Sequence, residues 1–138
     1  MLAEKGYDRA YLDACRRLVE REMAAYGELR AVAVPVDADA VAGFEGDFLN
    51  GMVVLLDALF VHRTRAIEGK DGNPLNEVRV LTNSITRNGG VFQGKKAIKL
   101  DPATSVLGYG DGDTIRLTTT DFGRLADAYF GEIERRFL

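Results

Sequence analysis

The chain has one cysteine, one histidine, three prolines and no tryptophan in 138 residues. Each shortage removes a class of chemistry. Cys15, alone, cannot close an internal disulfide, and on an apolar helical face it reads as a core residue. His62, alone, cannot build a multi-histidine metal site or a facial triad, so neither a metal nor another cofactor is expected. The opening "MLAEKGYDRAYLD" has no basic segment followed by an apolar one, which points to a cytoplasmic protein. No long uncharged apolar run exists either. The most apolar stretch, 44–61, contains Glu45, Asp47, Asn50 and Asp57, and a charge at mid-bilayer depth costs about 2.5 kcal/mol or more. A net charge of -3, with Lys and Arg dispersed among Asp and Glu, gives no footprint for a nucleic-acid backbone. Membrane and nucleic acid are therefore not expected partners.

What is present is ordinary globular material, 46% apolar and 28% charged. A chain of this length buries roughly two-thirds of its unfolded surface, enough for one core, and no composition break or repeat divides it. A single domain over 1–138 is expected.

Along the chain, Tyr11, Cys15, Leu18, Val19 and Tyr26 recur at helical spacing after Asp8, a suitable N-cap, and Gly27 suggests where this helix stops. "LRAVAVPV" reads as an edge strand or an extended linker, since Pro35 cannot donate to a ladder. "DADAVAG" reads as a turn, with Phe44 or Asp47 opening a second helix. Phe48, Met52, Leu55 and Leu59 form its apolar stripe, Leu56 and Phe60 widen it, and Val53, Val54 and Val61 add a second face. A helix apolar nearly all round is central or shared, so a homodimer through residues 47–62 is expected.

"NPLNEV" sets Asn73 as N-cap and Pro74 at the first position of a third helix, which Asn88 and Gly89 end. The runs "AIKL", "SVLGY" and "TIRL", separated by "DPAT" and "GDGD", predict a small antiparallel sheet. A last helix, capped by Thr120 or Asp121, carries Phe122, Leu125, Ala126, Tyr129, Phe130, Ile133 and Phe137 on one stripe. The expected class is α+β: about four helices, predominantly helical, with a small antiparallel β-sheet between the third and last helices.

Two motifs fail on context. "NGGVFQGKK" has most of the P-loop spacing, but a helix and not a strand precedes it, no helix follows it, and Lys96 stands where a magnesium-binding hydroxyl is required. "DGNPLNE" resembles a calcium loop, yet Gly72 falls at the second position and Thr82 at the twelfth, where a carboxylate is needed.

The remaining polar constellation is the set His62, Arg63, Arg65, Asn76, Arg79 and Asn83. Guanidinium forks with amide side chains grip carboxylates or phosphates, so these residues are the candidate ligand-binding face. They suit a non-enzymatic binding or interaction module, with a protein partner or a small anionic ligand. The alternative is a small enzyme or sensor for an anionic metabolite, with His62 as base and the arginines as clamp. Asp57 cannot orient His62 from the same helix, because five residues place it about 140° around the axis. Asp57 is instead a candidate buried charge among Val53, Val54, Phe60 and Val61, which needs an arginine, either Arg79 or one across a dimer seam, or hydrogen-bond donors, or else a proton.

The segments "FVHR", "GKDGNPLNEVRVL", "AIKLDPATSVLGY", "GDTIRL" and "FGRLADAYFGEIERRFL" together resemble a small family of uncharacterised bacterial proteins with no assigned function, over roughly Phe44 to Leu138. The resemblance implies a bacterial cytoplasmic protein and transfers no catalytic residue.

Overall fold

The computed structural model describes residues 3–138; Met1 and Leu2, the first residues of the opening read above for a leader, lie outside them. Five helices follow in order: α1 (Arg9–Ala33), α2 (Ala38–Leu59), the single turn α3 (Arg65–Glu68), α4 (Pro74–Arg87) and α5 (Thr119–Phe137). Among the described residues there is no strand, and only two isolated bridges occur, Glu4 with Arg63 and Val91 with Thr114. The fold is all-α, which corrects the expected α+β class and its sheet.

The reason is visible in where the backbone donors of the β-prone runs go. Val106 and Leu107 donate their amides to the Glu77 carboxylate at 2.8 and 2.9 Å. Lys99 donates to the Lys70 carbonyl, and Arg116 to the Tyr109 hydroxyl. Partners on helices, turns and side chains replace a ladder. The β-branched and aromatic residues of this segment are there to be buried: Phe92, Ile115 and Leu117 enter the core, with Ile98, Leu100, Val106 and Tyr109 packed against it. High β propensity reports fitness for a half-buried surface, which an irregular chain lying on helices also offers.

Helix ends also move. Gly27 does not stop α1, which takes in "LRAVA" and ends where the Val34 amide still donates to Arg30; residues 30–33 are helical, not strand. "DADAVAG" is helix too, because the Asp37 side chain caps α2 by accepting from the Ala40 amide at 3.0 Å. α2 stops at Leu59, short of His62. α4 starts as its sequence dictates, with Asn73 accepting from Leu75 and Asn76 and Pro74 at the first position. The cap of α5 is Thr118, not Thr120 or Asp121. Thr118 and Asp121 form a reciprocal capping box.

α2 is central and packs on α1, α4 and α5. Its Leu49, Met52, Val53 and Leu56 share one cluster with Leu12, Cys15 and Val19 of α1, Leu75, Val78 and Leu81 of α4, and Phe122, Leu125, Tyr129 and Ile133 of α5. Each such side chain, once buried, stabilises by about 1.5–3 kcal/mol. At 1.5 Å per residue α1 and α2 run roughly 37 and 33 Å against roughly 21 Å for α4. The two long helices outrun the core. From Gly27 to Phe48 no residue is buried.

Candidate functional site

The predicted polar face splits in the structure. Arg63, in the turn after α2, is buried to 3% exposure, and Glu68, at the end of α3, to 1%. The Arg63 guanidinium donates from Nε to Glu68 at 2.9 Å, from Nη2 to Asp57 at 2.9 Å, and from Nη1 to the Phe60 carbonyl at 3.0 Å and the Tyr129 hydroxyl at 3.3 Å. It also sits over the Tyr129 ring, 5.7 Å from the centroid. Arg79 of α4 reaches the same carboxylate with both Nε and Nη2, at 3.0 and 2.5 Å, and the fully buried Asn76 adds a bond at 2.9 Å. Glu68 thus accepts four hydrogen bonds. Asp57 finds its arginine in Arg63, six residues on, and not in the anticipated Arg79.

The protonation pattern follows from this geometry. Burial alone would raise the Glu68 pKa, but the Arg79 hydrogen bonds, the charges of Arg63 and Arg79 and the Asn76 amide bring it below the ordinary glutamate value. Burial opposes the charge on Arg63, and its neighbours Tyr129, Glu68 and Asp57 more than offset that. Burial also pushes the Tyr129 hydroxyl far up, so it stays protonated. The cluster is two carboxylates against two guanidiniums, and nearly every donor faces an acceptor inside it. Such closure leaves no fork free to grip an anion from outside.

A second ring fastens α3 and the turn 69–73 between α4 and α5. Arg136 donates to the Glu68 carbonyl at 3.1 Å and to Glu132 at 2.5 Å, and Asn73 donates to the Glu68 carbonyl at 2.8 Å. Gly72 has φ +86°, and a Cβ there would collide with the Lys99 carbonyl, so only glycine lets the irregular segment lie against the turn. Asp71 and its neighbours are bound up in these caps, and no metal-competent acidic or histidine group exists among the described residues.

The other candidates stand apart. His62 is exposed in the turn after α2; its carbonyl accepts from the Glu4 amide at 2.7 Å. Arg65 is exposed as well. Asn83 lies half-buried beside a shallow cleft of about 240 Å³ shared with Arg87, Gln93 and Lys95, away from the buried knot. The P-loop-like segment runs from the end of α4 through Gly89 and Gly90, and the residues after Lys95 form no helix, so phosphate would meet no helix N-terminus there.

Sequence reasoning missed two participants. Glu68 belongs to no motif, and its partners lie 5 and 11 residues away on separate elements. Tyr129 was assigned to the apolar stripe of the last helix without a use for its hydroxyl. The one available signal was a lone carboxylate next to Ile67 within an arginine-rich turn.

The contrasting surface is the free end of the α1–α2 hairpin. Leu29 is 58% exposed, Val32 74%, Val36 85% and Phe44 52%, and Leu29, Val36 and Phe44 line an apolar cleft of about 250 Å³. A single knot holds this end together. Tyr26 donates to Glu45 at 2.6 Å, Arg30 reaches the same oxygen at 3.1 Å, and Tyr26, Phe44 and Phe48 stack. Burial and the Glu45 hydrogen bond push the Tyr26 pKa up to about 12, so this hydroxyl stays a donor.

A scan against protein-family models, a search of curated proteins and a search of solved structures each found no match. Among the described residues no helix is long and apolar enough to cross a membrane.

Proposed function

We propose that this protein is a non-enzymatic interaction module of the cytoplasm that presents the α1–α2 arm to another protein. One observation carries the reading: 22 consecutive residues, 27–48, contain no buried side chain although they include Leu29, Val32, Val36 and Phe44. An exposed apolar patch of that kind marks an interaction surface. Two of the three candidate clamp arginines, Arg63 and Arg79, are spent on Glu68 and Asp57, Arg65 stands apart from them, and His62 has no carboxylate partner among the described hydrogen bonds and ion pairs. This weighs against a His62 base with an arginine clamp.

Self-association through residues 47–62 is the second reading. Its supporting observation is the outer face of α2, where Gly51 and Ala58 are exposed and Val54 and Leu55 half-buried, continued by the exposed Val61 in the turn that follows.

A thermal-shift screen with phosphate, carboxylic acids, nucleotides with magnesium and divalent metals tests the reading. The expected result is no shift. A ligand at a hundred times its Kd adds about 2.7 kcal/mol, and stabilisation of that size by any small anion overturns the interaction module. Sedimentation equilibrium with a Val61→Arg variant addresses the dimer: loss of a dimer on substitution supports the 47–62 seam, and a monomer at every concentration removes it.

A further inference from the structure

We propose that the end of α4 and the chain that follows it form a second contact surface, separate from the arm, which takes an extended acidic segment of a partner protein. The observation is a break in the mixing of charges. The chain holds 21 acids in 138 residues, yet none falls between Val78 and Leu100, where the bases are Arg79, Arg87, Lys95, Lys96 and Lys99. Arg79 is spent on Glu68. The other four are exposed and form no ion pair among the described residues. Arg87 and Lys95 share the shallow cleft of about 240 Å³ with Asn83, Ser84, Asn88 and Gln93, and neither an acid nor an apolar side chain lines it. Inside it, Ser84 Oγ accepts from the Gln93 main-chain N–H at 3.0 Å and the Asn88 side chain donates to the Val91 carbonyl at 2.8 Å. The two cations and the side-chain amides of Asn83 and Gln93 are left for a ligand. Lys95 and Lys96 also line the neighbouring cleft, which Asp111 borders while accepting from the Gly94 N–H at 2.7 Å.

This chemistry selects the occupant. A guanidinium fork, an ammonium group and amide side chains together bind carboxylates. Without apolar walls the cleft gives an amphipathic helix nothing to anchor on. Alternate residues of an extended segment point the same way, roughly 7 Å apart, and so present several carboxylates in a row. A lone small anion is disfavoured, because the cleft takes in the last turn of α4, where the helix dipole is negative. Nucleic acid is disfavoured too: no aromatic side chain lines the cleft to stack on a base, and the chain as a whole carries a net charge of -3.

The test titrates the full chain with a synthetic peptide of alternating glutamate and serine, its twin with glutamine at every glutamate, an oligothymidylate of matched charge, and inorganic phosphate. The glutamate peptide binds, with amide shift changes confined to 83–99, and its affinity falls as salt rises. The glutamine twin binds at least about tenfold more weakly. Arg87→Gln with Lys95→Gln lowers the affinity about fivefold or more, and Lys96→Gln alone lowers it by a smaller factor. These are surface changes that leave the fold intact. Arg17→Gln with Arg21→Gln, which removes two exposed cations of α1, leaves the affinity unchanged. No binding of the glutamate peptide, equal binding of both peptides, shifts elsewhere, or equal losses from the two paired substitutions overturns the inference. Tighter binding of the oligonucleotide than of the glutamate peptide overturns it in favour of nucleic acid. The same shifts from phosphate at the same concentration overturn it in favour of a free anion. None of these variants touches the α1–α2 arm, whose reading stands or falls on its own measurements.

Discussion

The two halves of α2 have similar chemistry and opposite fates. From Leu49 onward the helix is wrapped by α1, α4 and α5, and the turn beyond its end closes on the Asp57, Arg63, Glu68 and Arg79 knot. From Ala38 to Phe48 it touches α1 and leaves Phe44 half in solvent. Apolar side chains occur in both halves, so composition does not separate them. Length does: α4 and α5 are too short to cover the whole of the two long helices, and what they leave bare stays in solvent.

Removing the centre of the buried half has the largest expected effect. Glu68→Leu leaves Arg79 without a carboxylate and Arg63 with Asp57 alone, and breaking a buried pair from one side costs about 3–5 kcal/mol; a urea midpoint within error of the wild type would show that the knot is solvated. Leu56→Ala, at a position of 0% exposure, costs about 2–5 kcal/mol. A loss below about 1 kcal/mol would mean that the core around α2 collapses onto the gap.

The next effect sharpens the contrast between two buried glutamates. Glu68 is held by arginines and its pKa is lowered, whereas Glu77 is held by the amides of Val106 and Leu107, and burial, outweighing them, raises its pKa. By linkage, Glu68 adds stability that is full above the ordinary value of about 4.3 and is lost as pH falls through its folded pKa. The contribution tied to the raised pKa of Glu77 is full below that value and is lost as pH rises through its folded pKa. The stability gap between wild type and Glu68→Gln therefore widens as pH rises toward about 4.3 and stays level above it, whereas the gap to Glu77→Gln narrows as pH rises above about 4.3. Parallel pH profiles for the two variants would contradict this pair of environments.

The smallest effect belongs to the arm. Val32→Ser with Val36→Ser, both far more than half exposed, should change stability by no more than about 0.5 kcal/mol per site. Amide exchange between Gly27 and Phe48 should proceed through openings well below global unfolding. A large loss, or full protection of the arm, would mean that its apolar residues serve the fold of the single chain.

Local signals were legible where local physics decides. Asn73 and Pro74 mark the start of α4 and Asn88 its end, and the seven apolar positions of the α5 stripe are all buried. Gly27 misled because a helix interior tolerates glycine at about 1 kcal/mol, and no turn chemistry follows it until Pro35. The β-prone runs misled because their apolar residues are buried against helices, with Glu77, a helix residue, taking the place of a neighbouring strand. Of the candidate polar face, Arg63, Asn76 and Arg79 do converge with Asp57, while His62, Arg65 and Asn83 do not. The carboxylate that gathers them, Glu68, had no local mark.

The sequence by itself determined the helix-forming segments with strong caps and stripes, because capping and periodicity act within a few residues. It also determined the exclusion of an internal disulfide and of a multi-histidine site within one chain, because those require a second cysteine or histidine. Only the tertiary structure decided that Arg63 and Arg79 face inward to Glu68, that no sheet forms, and that the α1–α2 arm stands clear of the core. Each depends on which elements meet across long separations and on how far one helix outreaches its neighbours.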